Sequence, residues 1–494
     1  MELAITLDNR LSEPLHRQLY EELRRAILSC RLKPGERLPS TRALANSLGV
    51  SRATVTLGYE QLIAEGYLEA VIGSGTRVCV QLPDDLLRTV PVNQPQTESF
   101  ALNGSKACGI KLSAYGEYLD DSKPLEGVDP DLPISFKTGR PALEEFPMAE
   151  WRRLLLRHCR TASARLLDYA PEMRGDPQLR AAICSYLGRS RAVRCSVDQI
   201  IIINGSQQAI DLVTKILIER GDIVAVENPG YLGARRAFWA QGAKLVPIPV
   251  DESGIVVETL DSKAAARAKL VYVTPSHQFP TGAMLPLQRR LELLKWAERN
   301  GAVIIEDDYD SEFRFGSRPI PALQGLSDGN NVIYVGTFSK VLFPSLRIGY
   351  MVVPESLVRV FTRARWIADR QTPTLEQLVL ADFLNEGHLE RHLRRTRTLY
   401  DKRRQALIRA LKLHFEDRVE VLGENAGLHL MARLQTNFSD EEVVLRAAEV
   451  GVGLLSAKIY YLHEARSGEF VFGYGGLSER RISEGIKRLA KALR

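Results

Sequence analysis

Val332-Ile333-Tyr334-Val335 runs directly into Gly336-Thr337-Phe338-Ser339-Lys340, and Arg347 stands seven residues further on. The first four residues are apolar and mostly β-branched, the pattern of a strand buried on both faces. A lysine that follows such a strand can project into the crevice where α/β sheets hold ligands. Thr337, Ser339 and Arg347 add two hydroxyls and a guanidinium, groups that suit a phosphate. A lone lysine here would be read as a surface residue, so its company decides the reading.

Similar strands lie upstream. Ile200-Ile201-Ile202-Ile203, Ile223-Val224-Ala225-Val226, Leu270-Val271-Tyr272-Val273 and Val303-Ile304-Ile305 alternate with helical runs. That alternation predicts a mainly parallel sheet with crossover helices. Gly205-Ser206-Gln207 lies where a strand passes into a helix, so its backbone N–H groups can face a phosphate. Glu306-Asp307-Asp308-Tyr309 ends another strand. A carboxylate there can pair with a protonated pyridine nitrogen and a phenol can donate to a ring oxygen; a solvated acidic loop is the plainer alternative. Helices dominate from about 355 to 413, and a small α/β lobe closes the chain.

The first 82 residues read differently. Leu15, Leu19, Leu23 and Ile27 repeat at helical spacing. Ser40 can cap a second helix that ends at Gly49, and Ser51 a third that runs to about Glu65. Two short extended runs follow, joined by Gly73-Ser74-Gly75, which is a hairpin signal. Three helices and a hairpin predict a winged helix-turn-helix. Between Arg17 and Arg52 eight basic residues face three acidic ones. Arg42 and Arg52 can reach phosphates or guanine edges, Thr54 and Thr56 are expected on the exposed face of the third helix, and the Gly73 to Gly75 wing can approach the duplex backbone.

At 494 residues the chain exceeds what one core usually supports. Prolines recur at 83, 91, 95, 124, 130 and 133, and periodicity is weak between them, so 83–133 is expected to link a domain over 1–82 to one over 134–494. The net charge of +6 permits an anionic partner without demanding one. Six cysteines, none in a CxxC and none with histidines at ligand spacing, point to reduced thiols and give no metal site. No signal segment and no apolar run of about 18 residues are present, so the expectation is a soluble cytoplasmic protein with no membrane partner.

Through these residues the stretch from about Phe136 onward resembles the fold-type I aminotransferases, whose cofactor is pyridoxal 5′-phosphate. The resemblance implies a Schiff base at Lys340, with Asp307 on the pyridine nitrogen and Tyr309 on the ring hydroxyl. Ser206, Gln207, Thr337, Ser339 and Arg347 would hold the phosphate, and Tyr231 would lie near the ring. Tyr169 resembles the tyrosine that reaches the neighbouring subunit's phosphate, which implies a homodimer. Residues 12–80 resemble the GntR-type winged helix through Leu38-Pro39-Ser40-Thr41-Arg42-Ala43-Leu44-Ala45 and Gly49-Val50-Ser51-Arg52-Ala53-Thr54-Val55. Together the two halves resemble MocR-type regulators. That implies operator DNA, repeated or palindromic, and a small effector: an amine, an amino acid or the cofactor itself.

Two positions depart from the enzymes. Phe279 stands where Asn-Pro-Thr-Gly enzymes carry the asparagine that bonds the ring oxygen, with Gln278 beside it. Val471 aligns with the arginine that clamps the substrate carboxylate, and valine cannot replace a bidentate guanidinium. The expectation is therefore a regulator that uses aminotransferase-like architecture for sensing. A working aminotransferase with a DNA-binding appendage is the rival, and a repressor without cofactor is a third reading. The basic stretch from Arg391 to Arg404 is either an ion-paired helix face or an auxiliary surface for DNA or for docking the winged helix.

Overall fold

The computed structural model describes residues 7–8, 13–29, 31–71, 75–80, 82, 111–121, 132–169, 172–315, 320–328 and 330–494. It divides into two compact units, 1–110 and 111–494.

The first unit has helices α1 (Leu15–Leu28), α2 (Thr41–Leu48) and α3 (Arg52–Ala64), then a hairpin of β1 (Leu68–Val71) and β2 (Gly75–Val78). Leu19, Leu23 and Ile27 of α1 pack with Leu44, Val55, Tyr59 and Leu62 in one small core. Ser40 caps α2 through the Ala43 N–H, and Ser51 caps α3 through the Thr54 N–H. Gly49 ends α2 at φ +65°, a left-handed conformation that glycine adopts without a Cβ penalty. The expected three helices and hairpin are all present; Gly73 lies outside the described residues.

In the second unit, β3 (Ile134–Ser135) precedes the main sheet, which is built from β4 (Ile200–Ile203), β5 (Ile223–Asn228), β6 (Lys244–Asp251), β7 (Gly254–Ile255), β8 (Leu270–Val273), β9 (Val303–Asp308), β10 (Val332–Thr337) and β11 (Gly349–Val352). Their order is β4-β11-β10-β9-β8-β5-β6-β7. The pairs from β10 through β9, β8 and β5 to β6 are parallel, whereas β11 runs antiparallel to both of its neighbours. Strand alternation divides the core. Ile200 and Ile202 face one apolar cluster and Ile201 and Ile203 another, so both sheet faces are covered by helices.

The closing lobe carries β12 (Val419–Leu422), β13 (His429–Leu434), β14 (Val452–Gly453), β15 (Leu455–Ser456) and β16 (Glu469–Gly473). Four of these form an antiparallel sheet in the order β12-β13-β16-β15, and β14 pairs with β3. The 28-residue helix His388–Phe415 packs its Leu389, Leu393, Tyr400 and Leu407 into the large core. One helix, Ala114–Asp121, falls inside the stretch expected to be irregular and groups with the second unit. Among the described residues no helix is long and apolar enough to cross a membrane.

Candidate cofactor site and nucleic-acid interface

Parallel pairing brings the carboxyl ends of β5, β8, β9 and β10 to one edge, and the candidate groups gather there. Asp307 lies near the end of β9 and is buried. Tyr272 of β8 donates its phenol to Asp307 Oδ2 at 2.6 Å, while Oδ1, equally buried, has no partner among the described residues. Burial pushes the Asp307 carboxyl up to about 6; the Tyr272 bond opposes this and the charge of Asp308 adds to it.

The alternative of a solvated acidic loop does not hold for three of its four residues: Glu306, Asp307 and Asp308 are all buried. Their roles separate. Glu306 accepts the Leu323 and Gln324 N–H groups. Asp308 accepts from Arg191 Nε at 2.8 Å and from the Tyr334 phenol at 2.6 Å. Asp307 and Asp308 each keep Oδ1 without a partner among the described residues, but only Asp308 is tied to a cation.

Lys340, just past β10, donates from Nζ to the Gly139 carbonyl at 3.2 Å. Gly139 has φ +74°, and a Cβ there would run into Nζ, so only glycine allows this approach. Thr337 and Ser339 are buried; Thr337 Oγ1 accepts the Ser339 N–H at 3.2 Å, and Ser339 Oγ has no partner among the described residues. Arg347 is exposed, with its guanidinium over Gly205, 3.1 Å from where a Cβ would stand. Gly205 is the N-cap of the helix Ser206–Leu217. Three candidate phosphate elements, a helix N-terminus, paired hydroxyls and a guanidinium, thus occupy adjoining strand ends. Gln207 is partly spent: it donates to Gly233 O at 3.0 Å and accepts from the Tyr231 phenol at 3.3 Å.

Tyr309 donates to the His277 carbonyl at 2.9 Å and lies 3.1 Å from His277 Nδ1. Asp310 holds that Nδ1 at 3.0 Å. His429 lies against the His277 ring at 4.6 Å, and burial holds its imidazole well below the usual histidine range. His277, Asp310 and His429 offer ligand atoms that all lie within 4.8 Å of one another, a cluster that cysteine and histidine spacing gave no hint of.

The two departures from the enzyme pattern both have structural reasons. Phe279 packs edge-on against Tyr231, Tyr309, His429 and Tyr460. Gln278 is committed to its own turn and to Glu227, so it does not stand in for the asparagine. Val471 is fully buried among Met431, Ala457 and Tyr460, with Phe279 packed on the same cluster.

Tyr169 is not gathered with the others. Its ring is 68% exposed, with the Arg370 guanidinium over it at 4.8 Å. Sequence reasoning missed Tyr272, Gly139 and the His277–Asp310 pair. Tyr272 sat within a recognised strand, but nothing local marked its partner. Gly139, two hundred residues from Lys340, carried no signal.

On the first unit, Arg42 and Arg52 are exposed, as are Arg31, Lys33 and Arg37. Thr54 and Thr56 are half-buried, which corrects the expectation that they sit on the open face of α3: Thr54 lies in the first turn, where its hydroxyl bonds that of Ser51 at 2.8 Å. Arg52, Ala53, Leu57, Glu60, Gln61 and Ala64 are the exposed residues of α3 instead. Gly75 has φ +88° and receives the Arg37 side chain against it.

Residues 134–488 match the aminotransferase class I and II family, and residues 15–78 match the bacterial regulatory proteins of the gntR family. The chain is 40% identical to the probable rhizopine catabolism regulatory protein MocR of Rhizobium meliloti, over 99% of this chain and 95% of that one. It is 31% identical to the pyridoxine biosynthesis transcriptional regulator PdxR of Corynebacterium glutamicum, over 100% and 99%. Among solved structures it is similar to the α-aminoadipate aminotransferase LysN of Thermus thermophilus, in complex with N-(5′-phosphopyridoxyl)-L-leucine. There the identity is 31% and the TM-score 0.68, over 78% of this chain and 95% of that one. The chain belongs to the family of HTH-type transcriptional regulators in which a gntR-type DNA-binding region is joined to an aminotransferase class I and II domain.

Proposed function

We propose that this regulator holds pyridoxal 5′-phosphate at Lys340 and uses it to sense a small amine or amino acid, or the cofactor itself, while residues 12–80 hold operator DNA. The observation that carries this reading is a pair of buried groups without a partner among the described residues, the Asp307 Oδ1 acceptor and the Ser339 hydroxyl donor, near Lys340. A buried polar atom without a partner costs about 1–3 kcal/mol. A pyridinium N–H and a phosphate would satisfy the two. When bound, the cofactor supplies an aldehyde that condenses with primary amines.

The chain's own residues supply the rest. Asp307 holds the ring nitrogen's proton, with Tyr272 fixing its other oxygen. Thr337, Ser339, Arg347 and the N–H groups at Ser206 and Gln207 bind the phosphate. Tyr309, held near His277, would turn its phenol proton from the His277 carbonyl to the ring oxygen. Tyr231 and Phe279 flank the ring and exclude water. Tyr169, exposed on its own subunit, reaches a partner copy's phosphate in a homodimer.

Lys340 also offers a route outward. Its Gly139 acceptor belongs to a segment pinned to the end of β16, where the Gly473 N–H donates to Phe136 O at 2.7 Å. A ligand that changes the partners of Lys340 Nζ changes what holds residues 136–140. Coupling to DNA requires that the ligand bind two conformations unequally.

The reading favours sensing over turnover. Val471 and Phe279 leave an apolar, aromatic wall where an enzyme needs a carboxylate clamp and a ring-oxygen donor. Gel-shift titration of the full chain on operator DNA, with and without pyridoxal phosphate, tests it. Identical affinity and footprint in both states would sink the proposal.

A further inference from the structure

The helix His388–Phe415 buries Leu389, Leu393, Tyr400 and Leu407 and turns its opposite face to solvent. On that face Arg391, Arg394, Arg395 and Lys402 are all exposed. With Thr398 and Glu145 they line one open depression of about 560 Å³. Four cations against the single carboxylate of Glu145 leave a charge of +3 there.

The neighbouring arginines are used inside the fold. Arg403 donates to Glu144 Oε1 and Gly475 O, Arg404 to Asp401, and Arg397 to Glu312 O. Within the stripe, Arg391 bonds Glu386 O and His388, and Arg395 bonds Glu145. Arg394 and Lys402 have no ion-pair partner among the described residues. Cations at i, i+3 and i+4 repel one another and weaken a helix by a few tenths of a kcal/mol per pair. The fold bears that cost without an internal return.

We infer that this stripe is a second, sequence-independent contact for DNA: it binds backbone phosphates of duplex that flanks the sequence read by α3. From residue 391 to 402 the stripe spans about 16 Å at 1.5 Å per residue. Duplex DNA carries about one charge per 1.7 Å of axis, so several phosphates can face the stripe together. A lone anion would call for cations converging on an enclosed pocket, whereas this depression is open and its cations lie in a row. DNA is the polyanion this family already binds.

The test uses the full chain carrying Arg394→Glu and Lys402→Glu together. Binding is titrated against salt on two duplexes: one trimmed to the recognised sequence, one extended by about two turns on each side. A control pair, Lys263→Glu with Lys295→Glu, makes the same charge change at exposed positions elsewhere. The expected result is a loss of about tenfold on the long duplex and a log–log salt slope shallower by about 2, with little change on the short duplex. The control pair should bind both duplexes like the parent, and melting curves of all three proteins should coincide. Equal losses on both duplexes, or equal losses in the control pair, would mean general attraction only and overturn the proposal. So would an unchanged slope, or protection of Lys402 from acetylation by inorganic phosphate but not by DNA.

Discussion

Tyr272 and Asp307 meet across adjacent parallel strands, phenol to Oδ2 at 2.6 Å, and this bond leaves Oδ1 without a partner among the described residues. Asp307 therefore stands ready to take up a donor while its other oxygen is already fixed.

Asp307 sits near pH 6 in the fold, against a usual value of 3.8, because burial disfavours its charge. The folded chain holds this proton more tightly than the unfolded chain, so between about pH 4 and 6 its contribution to stability falls as pH rises. Asp307→Asn should stabilise the cofactor-free protein at pH 8 by about 1–3 kcal/mol. The gain should shrink towards zero as pH drops to 4. Melting temperature against pH checks this, and the same variant should lose most of its affinity for pyridoxal phosphate.

Lys340→Ala removes the amine and its bond to Gly139. The visible absorption band of the protein-bound cofactor should disappear, and added pyridoxal phosphate should no longer change DNA affinity. Spectral titration and gel shift on one preparation separate the two effects.

Steady-state assays across amino donors and keto acids should give turnover at least about a hundredfold below that of an aminotransferase, because the described residues packed around Val471 are apolar or aromatic and offer no guanidinium for a substrate carboxylate. Val471→Arg puts a charge into a dry cluster and should destabilise the domain by several kcal/mol (about 3–5) in denaturant titration. Turnover at enzyme-like rates in the parent would establish the rival reading.

Ser51 and Arg52 are adjacent yet should behave differently. Ser51→Ala removes the N-cap of α3 and should cost about 1 kcal/mol of stability in the first unit, visible as a lower melting midpoint. Arg52→Ala should leave that midpoint unchanged and weaken DNA binding by about tenfold or more, a loss of about 1–3 kcal/mol.

The amino-acid sequence alone determined which segments form strands, helices and caps, and which strand ends carry reactive groups. Ile200–Ile203 reads as a buried strand because all four side chains are apolar, and Ser40 and Ser51 read as caps because a short hydroxyl satisfies a nearby N–H. These signals are local, set by backbone hydrogen bonding and side-chain alternation within a few residues. Tertiary structure alone decided that Glu306 is spent on two N–H groups and Asp308 on Arg191 while Asp307 meets only a phenol, that Lys340 rests on Gly139, that Thr54 faces partly inward, and that Gln278 is spent in a turn. Those outcomes depend on strand register and on contacts between residues far apart in the chain. A sequence pattern with a period of two or 3.6 residues carries no information about a partner two hundred positions away.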